Sequence, residues 1–162
     1  MIQLAQMASI YHRAALTIVV TSGEDIRHGL TGMKRPRRFD QEVFDIAESF
    51  RVVKLSPSFN HCLAVSKWQT RGWTYQEQMT SWALLHFTEV GLYLQIGPIG
   101  PKQVYAEGMV ESNYDKTSVW LDFFGMVSIY SRRTLIHQTD VLRAFSGILT
   151  ALYGTRTSFG MP

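Results

Sequence analysis

Apolar and polar positions alternate along this chain in stretches of helical period and stretches of strand period. In residues 2–15, Met7, Ile10, Tyr11 and Ala14 fall at i, i+3, i+4 and i+7, with Leu4 extending the stripe, which predicts a helix. Residues 16–21 follow at once, a β-branched run apolar enough for a strand buried on both faces. Residues 22–25 and 28–32 read as turns. Residues 50–55 alternate enough for a short strand, stopped by Ser56, Pro57 and Ser58, and residues 59–73 fit either a short helix or an ordered loop. Thr74 and Glu77 fit a capping box that opens a helix over 74–82. Residues 84–88 and 92–96 flank Glu89-Val90-Gly91, as a hairpin with a three-residue loop does.

Gly97, Pro98, Gly100 and Pro101 end regular structure, and 102–116 are polar and expected to be irregular. Two helices close the chain. Trp120, Phe123, Phe124, Val127 and Tyr130 mark the first, with Thr117 or Ser118 as its cap. Val141, Leu142, Phe145, Ile148, Leu149 and Leu152 mark the second, with Thr139 before it and Gly154 after it. The expected class is α/β, a mixed β-sheet flanked by helices with a C-terminal helical pair. The expected division is a domain over 1–96, an irregular linker over 97–116, a helical extension packed on the domain over 117–154, and a tail over 155–162.

Composition narrows the class. With 162 residues, 46% of them hydrophobic and 18% charged, the chain can bury a core and is not of disordered type. The net charge of +3 is partly local, because Lys34, Arg35, Arg37 and Arg38 cluster; without these four, acidic residues slightly outnumber basic ones. A general nucleic-acid face is therefore not expected. The basic run reads either as a nuclear-import or phosphate-binding patch or as a solvated loop, the commoner role of such runs. Cys62 is the only cysteine, so an intrachain disulfide is excluded and a reducing, cytoplasmic setting is expected. No apolar run approaches the roughly 20 residues that span a bilayer, and the first residues lack the apolar core of a signal peptide.

Candidate chemistry is sparse. The five His and Cys62 show no metal-ligand spacing, and neither a phosphate-loop motif nor a G-x-S-x-G elbow is written in the chain. Carboxylates remain. Glu24 and Asp25 follow the first strand at its carboxyl end, where open α/β sheets place ligands, although turn and cap chemistry also suits them. Glu77, near Arg71, is a candidate acid, base or ion-pair anchor, with the capping box as its local alternative. Trp68 and Arg71 are three apart, so in a helical turn the guanidinium would lie on the indole. Trp73 and Tyr75 suit a pocket lining or, more commonly for large aromatics, a core.

The stretch Trp68-Gln69-Thr70-Arg71-Gly72-Trp73-Thr74-Tyr75-Gln76-Glu77, followed by Ser81 and Leu85-His86-Phe87, resembles a signature of the fungal heterokaryon-incompatibility (HET) domain family, R-G/A-W-T/V-x-Q-E-R-x-L-S-P-R-x-L-x-F. Gln78 stands where the family has Arg, and Trp82-Ala83 where it has Pro-Arg. A second block is similar to the family's Q-x-x-x-M-x-x-I-Y-x-x-A-x-L-T-I-V motif through Gln3, Met7, Ile10, Tyr11, Ala14, Leu16, Thr17, Ile18 and Val19, then Gly23, Asp25, Gly29 and Leu30. A third resembles Y-S-x-R-x-L-T-x-x-x-D-x-L-x-A-x-x-G-I through Tyr130, Ser131, Arg133, Leu135, Asp140, Leu142, Ala144, Gly147 and Ile148, with Ile136 in place of Thr. The blocks lie in family order.

The resemblance implies a fungal intracellular protein of non-self recognition and regulated cell death, working through protein partners, with self-association among the options. It points to Arg71, Gly72, Trp73, Gln76 and Glu77 as the residues that matter. The family is similar in outline to TIR domains, some of which cleave NAD; that analogy implies an NAD- or nucleotide-cleaving alternative using Glu77, Glu24 or Asp25. Two strand motifs that precede the first helix in the family, L-S-Y-x-W-G and W-I-D-x-x-C-I-N-Q, have no counterpart here. A domain lacking its first strands is thus expected, with a truncated inactive fragment as a further alternative.

Overall fold

The computed structural model describes residues 2–23, 27–37, 42–54, 57–97, 103–107 and 123–154. Helix α1 (Ile2–Arg13) leads into β1 (Thr17–Val20), and β2 (Val43–Ala47) and β3 (Phe50–Val53) form a hairpin. Helices α2 (Phe59–Ala64), α3 (Lys67–Thr70) and α4 (Gly72–Thr80) precede β4 (Ala83–Phe87), β5 (Leu92–Ile96) and β6 (Gln103–Ala106). The chain closes with α5 (Phe123–Ser131), a 3-10 turn (Gln138–Asp140) and α6 (Val141–Tyr153). The class is α/β with a mixed sheet, as the pattern predicts.

The main sheet has the order β1-β4-β5-β6. β1 runs parallel to β4, with Thr17 opposite Leu84 and Val20 opposite Phe87. β4, β5 and β6 form an antiparallel meander. Thr88 sets the first of its turns: the Thr88 hydroxyl donates to the Gly91 carbonyl and accepts from the Val90 and Gly91 N–H groups. Seryl hydroxyls start the short helices, Ser58 accepting from His61 N–H ahead of α2 and Ser66 from Gln69 N–H ahead of α3. Gly154, at φ +62°, ends α6.

Two apolar cores result. Under the sheet, Val19, Phe59, Leu63, Trp68, Leu84 and Tyr93 pack together. The second core is helical and joins Tyr75 and Met79 of α4 to Met126 and Tyr130 of α5 and to Ala144, Phe145, Ile148 and Leu149 of α6. α1 lies against both α4 and α6.

Several expectations change. β1 is not buried on both faces: Val19 is buried while Ile18, on the opposite face, is 58% exposed. Part of the segment expected to be irregular forms β6, whose backbone satisfies the free edge of β5. The strand at 50–53 has a partner in β2, which no alternation announced. Thr139 lies inside the 3-10 turn rather than capping α6, and the expected caps Thr117 and Ser118 lie outside the described residues.

Candidate functional site

The stretch from Trp68 to Glu77 is a kinked pair of helices. Arg71 is extended (φ −84°, ψ 137°), closing α3 and preceding α4. This places Thr74 inside the first turn of α4, where its hydroxyl reaches the Trp68 and Arg71 carbonyls across the kink. The capping box is therefore absent: Arg71 is the N-cap, without a side-chain cap bond, and Glu77 sits a turn too far along.

Glu77 is instead a tertiary acceptor. Trp68 Nε1–H donates to its carboxylate at 3.2 Å, and the Tyr11 hydroxyl of α1 donates to it as well. Burial pushes the Glu77 carboxyl above the ordinary carboxylate value, opposed by these two hydrogen bonds and by the Arg71 charge. Tyr11 is pushed up to about 12, first by burial and then by the Glu77 charge and hydrogen bond. The Trp68 ring does not carry Arg71; it meets His86 edge-on, with centroids 5.6 Å apart.

The opposite side of α4 is held by the chain's third block. Arg71 and Thr134 form a parallel bridge, with Gly72 N–H donating to the Thr134 carbonyl at 2.8 Å and Thr134 N–H to the Thr70 carbonyl at 2.6 Å. Arg133 lies 4.5 Å from the centroid of the Tyr75 ring. Its guanidinium donates to the Arg71 carbonyl, the Thr74 hydroxyl and Gln78 Oε1. Gln78, which departs from the family Arg, thus accepts from an Arg. Burial lowers Arg133 to about 10, so it remains charged at neutral pH.

Two glycines make these contacts close. A Cβ on Gly72 would lie 2.6 Å from Leu135 Cγ, and one on Gly147 would overlap Gln76 Nε2. Gln76 is fully buried against α6 with its Oε1 unpartnered, and Trp73 and Tyr75 belong to the helical core.

A cleft of about 580 Å³ runs along the outer edge of β1. Ile18, Val20, Gly23, Lys67, Arg71, Glu77 and Ile136 are among the residues that line it. Of the expected site residues, the structure brings Arg71 and Glu77 together here and turns Gly72, Trp73 and Gln76 inward. Glu24 and Asp25 lie outside the described residues. A smaller hollow of about 340 Å³ at the carboxyl ends of β1 and β4 is lined by Ser22, His61, Cys62 and Thr88, among others. Burial raises the Cys62 thiol, which lowers its thiolate fraction.

Residues 1–77 match the family model described as heterokaryon incompatibility protein (HET). Over those residues, the HET segment, the chain is similar to that family. No curated protein and no solved structure matches the chain. The HET segment contains the acceptor Glu77, its donors Tyr11 and Trp68, and the neighbouring Arg71. Leu135, Arg133 and Gly147, which hold Gly72, Tyr75 and Gln76, lie beyond it. Sequence spacing assigns no role to Tyr11 beyond the helix stripe and none to Arg133 beyond a motif match; only pairing across the fold reveals their partners. Among the described residues, no helix is long and apolar enough to cross a membrane.

Proposed function

We propose that this chain acts as a HET-type protein in non-self recognition and regulated cell death, in the cytoplasm of a fungal cell, through protein contacts. One observation carries the reading: Arg71 and Glu77 of the HET segment meet at a cleft beside an edge strand with an exposed apolar side chain, Ile18. Edge strands accept an added strand through backbone hydrogen bonds, and the neighbouring side chains then select the partner. The test is cell death in a fungal host expressing the chain, compared with Ile18→Lys and with Arg71→Ala. Ile18 is exposed, so the lysine leaves the cores intact while blocking strand addition. Death from the unmodified chain and survival with both variants, at equal protein level, is the expected outcome. Death that persists in all three removes the cleft from the mechanism.

A second reading, a TIR-like effector that cleaves NAD or another nucleotide, is favoured by one feature of the same cleft. Its lining includes a carboxyl of raised pKa, Glu77, and two cationic residues, Lys67 and Arg71, around a volume of small-molecule size. Cations of this kind suit a pyrophosphate, and the carboxyl suits proton transfer. Loss of NAD from solution in the presence of the chain, abolished by Glu77→Gln, would support it. No consumption of NAD, together with no shift in melting temperature on adding it, would sink it.

A further inference from the structure

The β2–β3 hairpin lies outside both cores, and none of the other described elements packs extensively on it. Its register sets Val43 opposite Val53, Phe44 opposite Val52, Asp45 opposite Arg51 and, past a bulge at Ile46, Ala47 opposite Phe50. Side chains alternate between faces along a strand. Phe44, Phe50 and Val52 therefore share one face, 53%, 60% and 39% exposed, and Ile46, 65% exposed, sits in the bulge where the alternation is interrupted. The same alternation places Glu42 and Lys54 at the open end of that face, where they pair at 3.2 Å. The other face carries the Asp45–Arg51 pair and the Val43–Val53 pair, 52% and 39% exposed. A two-stranded hairpin is marginal in water without cover, and a contiguous apolar patch with a polar rim marks an interaction surface.

We propose that this face is where two copies of the chain associate, face to face about a two-fold axis parallel to the strands. That operation lays β2 over the partner's β3 at the same height. Glu42 then stands opposite the partner's Lys54, Phe44 opposite the partner's Val52, and Ala47 opposite the partner's Phe50. Each large side chain meets a smaller or branched one, and the rim charges are complementary in both directions, as an isologous contact requires. A face carrying one acid and one base at its rim repels neither itself nor a copy. The three large apolar side chains cover on the order of 300 Å² per copy. That is below the ~600 Å² per partner of small stable interfaces, so the association is reversible and concentration-dependent.

The test is analytical ultracentrifugation of the whole chain over a range of concentrations, with Glu42→Lys, Lys54→Glu, the double variant and Phe44→Asp. The wild type is expected to show a monomer–dimer equilibrium with a micromolar or weaker Kd. Each single charge reversal places like charges opposite one another twice and weakens it about tenfold. The double variant and an equimolar mixture of the two single variants both restore complementarity, and dimer returns in each. Phe44→Asp abolishes association and leaves the far-ultraviolet circular dichroism unchanged, since the hairpin belongs to neither core. A chain that stays monomeric to its solubility limit overturns the proposal. Charge reversals that leave the dimer unchanged also overturn it, because association then uses another surface. Neither result bears on the Glu77 cleft.

Discussion

Helix α4 and the β2–β3 hairpin are both short elements rich in apolar and aromatic side chains, and they end in opposite surroundings. α4 is enclosed by contacts between residues far apart in sequence: Arg133 reaches Gln78 across 55 positions, and Tyr130 stacks on Tyr75 with centroids 5.9 Å apart. The hairpin closes on itself, its Asp45–Arg51 pair only 6 positions apart, and its apolar face stays in water. The difference lies in which segments return to cover each element. The tail block comes back to bridge Arg71 and covers α4; no described segment covers the hairpin.

The most damaging way to break α4's enclosure is Gly147→Ala. Helix propensity alone favours alanine by about 1 kcal/mol. The added methyl would sit on Gln76 Nε2 and force a fully buried amide to shift, so a net loss of up to about 3 kcal/mol is expected from the urea midpoint. A more stable variant would disprove the close approach.

Acid attacks the sheet core next. His86 is buried between Phe59 and Trp68, Nε2 bonded to Gln95, and burial lowers it to about 4 from 6.5. The unfolded chain therefore binds the proton first as pH falls. Stability is full above about 6.5 and falls by about 3 kcal/mol on reaching pH 4. His86→Gln should flatten that segment of the stability–pH curve, whatever its own stability.

Arg133→Ala should cost about 2 kcal/mol, removing the cation from Tyr75 and the hydrogen bonds to the kink. Arg133→Lys keeps the charge but not the planar fork, and should recover less than half of it. Glu77→Gln has a smaller effect of opposite sign. A carboxyl whose folded pKa is raised favours the fold below its ordinary value of 4.5, and that contribution disappears as pH rises through the folded value. The amide still accepts from Trp68, so the variant should melt higher at neutral pH and match the wild type below about 4.5. Phe44→Ala, in a dilute monomeric sample, should change stability by less than about 0.5 kcal/mol. A larger loss would mean that the hairpin face is covered within the monomer.

How far these elements could be read in advance follows their range. The β4–β5 hairpin was legible because its turn and alternation are local, down to the Thr88 hydroxyl that clamps it. α1 and α6 were legible as periodic stripes. The fit of Thr74 and Glu77 to a capping box misled, because a capping box and a tertiary acceptor use the same residue types. Arg71's extended backbone starts α4 early and sends Thr74 back to the kink and Glu77 across to Tyr11 and Trp68. β2 was missed because Asp45 and the bulge at Ile46 disturb its alternation.

By itself, then, the sequence determined the α/β class, the periodic helices, the local hairpin and the cluster of residues on which the HET segment ends. These depend on backbone preference and on neighbours a few positions away. Only the tertiary structure decided which of those residues share a site. Arg71 and Glu77 face a cleft because β1 ends the sheet beside them, whereas Gly72 and Gln76 face inward because Leu135 and Gly147 return from the far end of the chain. Such pairings cost chain entropy over dozens of residues and are recovered only by the packing they complete, which no window of sequence contains.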